Sequence, residues 1–376
     1  MVKSPYRSWV EVSLQQIGDN FNAIRSVVGP AVEVMPVVKA DAYRHGAIEV
    51  SHALVSRGAR WLAVSNVEEG VALRDAGITG RILVMADFLP ATRGAMLEHR
   101  LTPVLHSLGD LRDLNDQAHQ GGTAVDYHLK IDSGMGRLGT RAAAEQIHQA
   151  IIAARQVRLE GLMTHFASVS DFSSKQTGEQ TRYFLDLLET LRTAGIVAPI
   201  THMSSTGAIA YGRREAWGNL VRPGHAIYGY TSPARGKGPP NLLHVKPALT
   251  WKASVLTVKE IGSGALIGYG GMYRAPEAMR IAVLAVGYAD GLPHRLSNKG
   301  HVIACGRRVP IIGAVSMDMT TIDVTHCPEL QPGDAVTLLG GEGDVSIDAQ
   351  EMARVAGTIS YSVLCAISSR VKRVYI

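Results

Sequence analysis

EVMPVVKA (33–40), RWLAVSN (60–66), RILVMAD (81–87), LTPVLHS (101–107), VDYHLKID (125–132), LEGLMTHF (159–166), PITHMSS (199–205) and LVRPGHAIYG (220–229) are eight short runs of apolar and β-branched residues. Near-continuous runs of this length are the pattern of strands buried on both faces. Amphipathic stretches lie between them. Examples are AIEVSHALVSRGA (47–59), VEEGVALRDAGI (67–78), RAAAEQIHQAIIAAR (141–155) and GEQTRYFLDLLETLRTAG (178–195). In the last, Leu185, Leu188 and Leu191 are expected on one face, with Gly195 ending the helix. Strand–helix alternation predicts a parallel sheet, and eight such units predict closure. The fold class is therefore α/β, a (β/α)8 TIM-type barrel followed by a mostly-β C-terminal domain.

The pattern changes after KGPPNLLH (237–244), which reads as a linker. Beyond it come strand-like runs separated by close turn signals, such as LTWKASVLTVKEI (249–261), with helical periodicity nearly absent until DAQEMARVAG (348–357). The expected domains are 1–240 for the barrel and 241–376 for the β-rich part. RSWVEVSL (7–14) reads as a strand that can pair with either.

Composition narrows the function classes. The chain has 376 residues, of which 46% are hydrophobic and 19% charged, so it has material for a large core and is not a disordered chain. A net charge of +5, without basic clusters interleaved with aromatics, argues against nucleic acid and suits a small anionic ligand. Three widely spaced cysteines, Cys305, Cys327 and Cys365, form neither a disulfide framework nor a zinc pattern, and no cluster at metal spacing appears. The start MVKSPYRSWVEVSL lacks the apolar core of an export signal, and no run is long enough for a membrane span. The expected compartment is the cytoplasm.

In a barrel the active site forms at the C-terminal strand ends. The polar residues there are Lys39 with Tyr43, Lys130 and Asp132 with Arg137, His165, Ser204 and Ser205, and Arg222 with Gly224. They make a cationic, hydrogen-bonding mouth. A lysine closing a buried strand is unusual. With its pKa lowered by burial and neighbouring cations, it suits a Schiff base; the alternative is an ammonium reaching solvent at the rim. Ser204, Ser205 and Gly224 sit where barrels bind phosphate, although Ser and Gly are also ordinary turn formers. An imine-forming lysine and a phosphate cradle together describe an aldehyde carrying a phosphate, and pyridoxal 5'-phosphate (PLP) fits best. Arg222 can pair with a carboxylate, a phosphate or a ring nitrogen, and His165 is placed either to orient it or to serve as a core residue. In ALIGYGGMYRAP (265–276), Tyr269 projects from glycines, as a functional phenol or a hairpin-tip aromatic. SMDMTTIDV (316–324) sets Met317 and Asp318 at a turn.

The strings VVKADAYRHG, LKIDSGMGRLG, HMSST, VRPGHAIYGY, GYGGMY, GYADGLPHR, VSMDM and TISYSV occur in the order found in bacterial alanine racemase. The resemblance covers nearly the whole chain. It implies interconversion of L- and D-alanine by a PLP-dependent isomerase, supplying D-alanine for peptidoglycan. It implies that Lys39 carries PLP and is one catalytic base, and that Tyr269, from the other subunit of a homodimer, is the second. Tyr43, Ser205, Gly224, His225 through its backbone, and Tyr361 are implied at the phosphate, Arg222 at the pyridine nitrogen, and His165 between Arg222 and Tyr269. Arg137 is implied at the phenolic oxygen of the cofactor, and Arg137, Met317 and Asp318 near the substrate. Lys130 matches a lysine that some members carry as a carbamate. Three positions depart from the usual pattern: Arg44 stands where Gly is common, Ser204 where Asn is, and His225 where an aliphatic residue is. Other readings are a racemase of serine or broader specificity, a PLP-dependent decarboxylase, a non-catalytic PLP-binding barrel and a Schiff-base aldolase. Arg222 and Tyr269 argue against the decarboxylase, and the second domain against the bare barrel.

Overall fold

The computed structural model describes residues 5–122 and 124–376. The first four residues of the stretch read for an export signal lie outside the described residues. The chain divides into two compact units. One is the barrel, Ile17–Ala42 with Ala47–Lys246; the other joins the N-terminal segment to Gln16, Tyr43–Gly46 and Pro247–Ile376. After the barrel the chain passes from one unit to the other at Lys246/Pro247.

The first strand, β1 (Ser8–Val12), belongs to the β-rich unit and is described with it. The barrel strands are β2 (Glu33–Val34), β3 (Trp61–Val64), β4 (Arg81–Val84), β5 (Thr102–Leu105), β6 (Val125–Lys130), β7 (Val157–Met163), β8 (Ile200–His202) and β9 (Leu220–Val221). Strands β3 to β8 form one parallel sheet in chain order, and β2 pairs in parallel with β9. Backbone bonds close the ring on both sides. Val38 N–H donates to the Ala63 carbonyl at 2.8 Å, and Arg222 N–H to the Ser204 carbonyl at 3.0 Å. Every strand thus has two neighbours, which removes the exposed edges of an open sheet.

The helix Gln176–Thr193 corrects one expectation. Its buried stripe is Thr177, Gln180, Thr181, Phe184, Leu187 and Leu191, and Leu185 is exposed. The stripe includes three polar residues, and two of them have their groups satisfied. Thr181 Oγ1 donates to the Thr177 carbonyl at 2.8 Å, and Gln180 Nε2 donates to the His165 carbonyl at 3.0 Å. A count of apolar residues alone misplaces such a face.

In the β-rich unit the strands after β9 are β10 (Leu249–Ile261), β11 (Leu266–Ile267), β12 (Tyr273–Arg274), β13 (Met279–Leu284), β14 (His301–Ala304), β15 (Arg307–Pro310), β16 (Thr320–Asp323), β17 (Ala335–Glu342), β18 (Val345–Ile347) and β19 (Lys372–Tyr375). The main path of the sheet runs β15-β14-β17-β10-β1-β19. Strand β1 is antiparallel to β10 and parallel to β19, so the opening strand pairs here and not in the barrel. Val10, Val12, Trp251 and Ala253 are buried between these strands. The helix Ala349–Ala356 starts where Asp348 accepts the Glu351 N–H at 2.7 Å and stops at Gly357 with φ +66°.

Candidate active site

Lys39 begins a helical turn, Lys39–Arg44, wound the unusual way. Ala40, Asp41, Ala42, Tyr43 and Arg44 have φ of 53°, 55°, 52°, 54° and 67°. Left-handed geometry costs an L-residue roughly 1–2 kcal/mol, and strain of this kind clusters at functional sites. Arg44 sits at the most positive φ of the run, which explains why glycine suits that position. Here its Nε contacts the Cys365 carbonyl at 3.4 Å and its own carbonyl accepts from Arg373 Nε at 3.2 Å.

Side chains two apart on a strand share a face, so His128 and Lys130 on β6 point the same way, as do Gly161 and Met163 on β7. Lys130 is buried. Burial lowers its pKa to about 8, aided by the charges of Arg222 and Arg137, and Lys39 acts in the same direction. Asp132 orders the segment that carries Arg137, accepting N–H bonds from Gly134 at 3.1 Å, Met135 at 2.9 Å and Gly136 at 3.0 Å. Although burial opposes it, these bonds hold the Asp132 carboxyl below its usual range. The Arg137 side chain is exposed.

Arg222 is 3% exposed. Its Nη1 lies 2.6 Å from His202 Nδ1. Its Nη2 donates to the Thr164 carbonyl at 2.8 Å and the Met203 carbonyl at 3.1 Å, and sits 3.3 Å from His165 Nδ1. No carboxylate pairs with it among the described residues. Burial lowers its pKa to about 9, so it remains charged at neutrality. The Nε proton and one Nη1 proton have no partner among the described residues.

The His165 pKa falls to about 3, first through burial and then through Arg222, Lys130, Arg137 and Lys39. His106, at the end of β5, falls to about 4 through burial and Lys130, and both of its ring nitrogens are buried without a partner. His106 was not singled out from the sequence, although it is the first polar residue after the apolar core of its run. Unfolded histidines bind a proton near ~6.5, so below that pH the unfolded chain takes up protons that folded His165 and His106 refuse. Stability therefore rises with pH between about 4 and 6.5 and is lost on acidification. Two such groups give nearly ~3 kcal/mol per pH unit. Urea midpoints measured from pH 7 to 4.5 should fall accordingly, and a flat profile would exclude neutral buried imidazoles.

Ser204 Oγ donates to the Ala216 carbonyl at 2.6 Å and is fully buried, so this hydroxyl is spent on a backbone contact. Ser205 precedes the short helix Thr206–Ala210 and has the extended backbone of a cap residue. Thr206, not singled out from sequence, accepts the N–H of Gly224 at 3.3 Å and of Ala226 at 3.2 Å, tying the two loops together. His225 is buried and stacks on Tyr230 with centroids 5.1 Å apart.

In the β-rich unit, Tyr43 and Tyr361 face each other at 6.0 Å, and burial raises the Tyr43 pKa. Tyr269 is 77% exposed, and Met272, Tyr288, Met317, Met319 and Ile359 are exposed too. The Asp318 carboxylate is bound by Arg370 Nη2 at 2.6 Å. The Met317 carbonyl accepts from Ala289 N–H at 3.0 Å, while the Met317 N–H has no partner among the described residues. Gly287 lies against this turn. A Cβ there would sit 2.2 Å from the Ser316 oxygen and 2.4 Å from the Met317 oxygen. Gly287→Ala should displace the turn, cost about 1–3 kcal/mol of stability and raise the KM for the amino acid. An unchanged KM in a folded variant would free Met317 of a binding role.

The family model described as "Alanine racemase, N-terminal domain" matches residues 12–232, and that described as "Alanine racemase, C-terminal domain" matches residues 248–375. A Halothermothrix orenii protein named alanine racemase is 39% identical over 369 residues, spanning 98% of this chain and 96% of its own. The crystal structure of the alanine racemase from D-cycloserine-producing Streptomyces lavendulae matches with a TM-score of 0.92 at 29% identity, covering 100% of this chain and 98% of its own. That of Bartonella henselae, with covalently bound pyridoxal phosphate, matches with a TM-score of 0.88 at 26% identity, covering 99% and 100%.

Proposed function

This chain belongs to the alanine racemase family and interconverts L- and D-alanine; from that premise we propose that it does so with PLP and two proton-transferring side chains, Lys39 and Tyr269 of the partner subunit. The observation that carries the cofactor reading is Arg222, a buried guanidinium with two N–H groups unspent and no carboxylate paired with it. Such a group suits an acceptor such as a pyridine nitrogen and disfavours protonation of that nitrogen. Lys39 would carry the aldehyde. Ser205, at the loop of Gly224 and with the His225 N–H, would take the phosphate, Tyr43 and Tyr361 adding hydroxyls. Arg137 would take the phenolic oxygen. When bound, PLP draws off the electron pair left at Cα.

The residues of the chain do the rest. The Lys39 amine takes or returns the Cα proton on one face, and the Tyr269 oxygen of the partner subunit does so on the other. Tyrosine ordinarily titrates near ~10, so a phenolate needs nearby positive charge. Arg222 supplies it through His165, whose burial keeps the imidazole neutral and so able to relay a hydrogen bond without adding charge of its own. The Met317 N–H would hold the substrate carboxylate. Burial lowers the Lys130 pKa, which favours the neutral amine that carbamate formation requires. A carbamate there would offer Arg137 an anionic partner.

A homodimer is supported by the exposed apolar side chains of the β-rich unit, Tyr269, Met272, Met317 and Ile359 among them, which a second copy would cover. No helix among the described residues is long and apolar enough to cross a membrane. The three cysteines are free, which suits the cytoplasm, and peptidoglycan supply is the proposed role.

Subunit complementation tests the shared site. Lys39→Ala and Tyr269→Phe chains, each inactive, should on mixing regain about a quarter of full activity, because half of randomly exchanged dimers carry one intact site. Mixtures that stay inactive despite verified exchange would exclude a tyrosine supplied across the interface.

A further inference from the structure

Arg222 has no carboxylate beside it, yet a line of buried contacts leads from it to one. His202 Nδ1 is 2.6 Å from Arg222 Nη1, and His202 Nε2 is 2.7 Å from His128 Nδ1. His128 Nε2 lies 3.4 Å from Glu160 Oε2. Neither of these last two atoms has another hydrogen-bond partner among the described residues, so the long contact is what each has. Both imidazoles are fully buried and Glu160 nearly so. Beyond Glu160 the charges alternate. Arg81 pairs with Glu160 and, at 3.2 Å, with Asp126, which accepts from Arg158 Nε at 2.7 Å.

The geometry points to Glu160 and His128 as positioning residues for Arg222, acting through His202 as a one-directional hydrogen-bond relay. The ends dictate the direction. A guanidinium only donates and a carboxylate only accepts. Each imidazole between them must therefore be neutral, with its proton on Nε2 and its lone pair on Nδ1. A protonated or oppositely tautomeric ring would set two N–H groups against each other at one of the joints. Burial and the lowered pKa of both rings favour the neutral form. A carboxylate at the far end polarises the rings and makes His202 Nδ1 a better acceptor for Arg222.

Two features of the strands look built for this arrangement. The register of β6 against β7 slips between Tyr127/Leu159 and His128/Gly161, leaving Glu160 as the extra residue of a bulge. A bulge re-aims a side chain, here an acidic one that is buried. At the next position a Cβ on Gly161 would lie 2.4 Å from His128 Nδ1, so only glycine leaves room for the ring.

The test is nitrogen-15 NMR of the histidine-labelled holoenzyme at pH 7. His128 and His202 should each show one neutral form with Nδ1 unprotonated. In Glu160→Gln the His128 Nε2 and His202 Nδ1 resonances should both move, kcat for alanine should fall about tenfold, and KM should stay within about twofold. Asp126→Asn, which disturbs the surface ion pairs but not the relay, should change neither resonance nor rate. Should Glu160→Gln fail to fold, His128→Gln must reproduce the shift at His202. Protonated Nδ1 on either ring of the wild type, unmoved resonances in Glu160→Gln, or an equal response from Asp126→Asn would overturn the proposal. The kinetic arm rests on the reading that Arg222 faces the cofactor. The spectral arm does not, so shifted resonances with an unchanged rate would keep the relay and count against that reading alone.

Discussion

Lys39→Ala should abolish measurable racemisation, a loss of at least the ~10²–10⁴-fold that one positioned proton-transfer group supplies. The loss should exceed that of any other single substitution, because Lys39 is proposed to do two things. It would tether the cofactor, and it would move a proton on one face of Cα. Its position is enforced by the left-handed turn that follows it, with φ between 52° and 67° at Ala40–Arg44. Both roles can be read separately. Absorbance of the purified variant reports whether the coenzyme is retained, and a chirality-resolved assay reports turnover. Added methylamine should restore a small fraction of turnover by standing in for the missing amine. A variant that keeps a covalently held coenzyme would place the tether on another lysine. One that racemises alanine at the wild-type rate would remove Lys39 from catalysis altogether.

Tyr269→Phe carries the second large effect, a fall of about 10²–10⁴-fold in kcat/KM for both enantiomers. The equilibrium constant between enantiomers is unity, so the two directions must lose equally in kcat/KM, whichever face the phenol serves. Exchange with solvent breaks that symmetry. With Lys39 intact, one enantiomer should still trade its Cα proton for deuterium while keeping its configuration. The other should exchange far more slowly. Proton NMR in deuterium oxide reads both. Equal, rapid exchange of the two enantiomers in Tyr269→Phe would mean that a single base reaches both faces. The 77% exposure of Tyr269 makes this substitution conformationally safe, since little packing is lost with the hydroxyl.

Much of this protein was legible from its residue order, for a physical reason. Strands buried on both faces must be apolar throughout, so eight such runs announced a closed parallel sheet, and the polar residue ending each run announced the rim. Lys39, Lys130, His165 and Arg222 were found that way, and His106 belonged to the same signal. The family strings added the expected roles of Tyr269 as second base and of the other subunit as its source, which no spacing rule supplies.

Other features depend on partners far away in the chain. Ser204 and Ser205 are adjacent and chemically alike, yet the Ser204 hydroxyl is taken up by the Ala216 carbonyl. Asp318 is paired with Arg370, 52 residues further along the chain. The buried face of Gln176–Thr193 includes Gln180, whose amide is matched by the carbonyl of His165. The line from Arg222 to Glu160 joins strands separated by long stretches of sequence and depends on one slipped register. Residue order sets which groups are polar, charged or apolar. Whether a polar group is spent or available is settled only when folding brings its partner within about 3 Å.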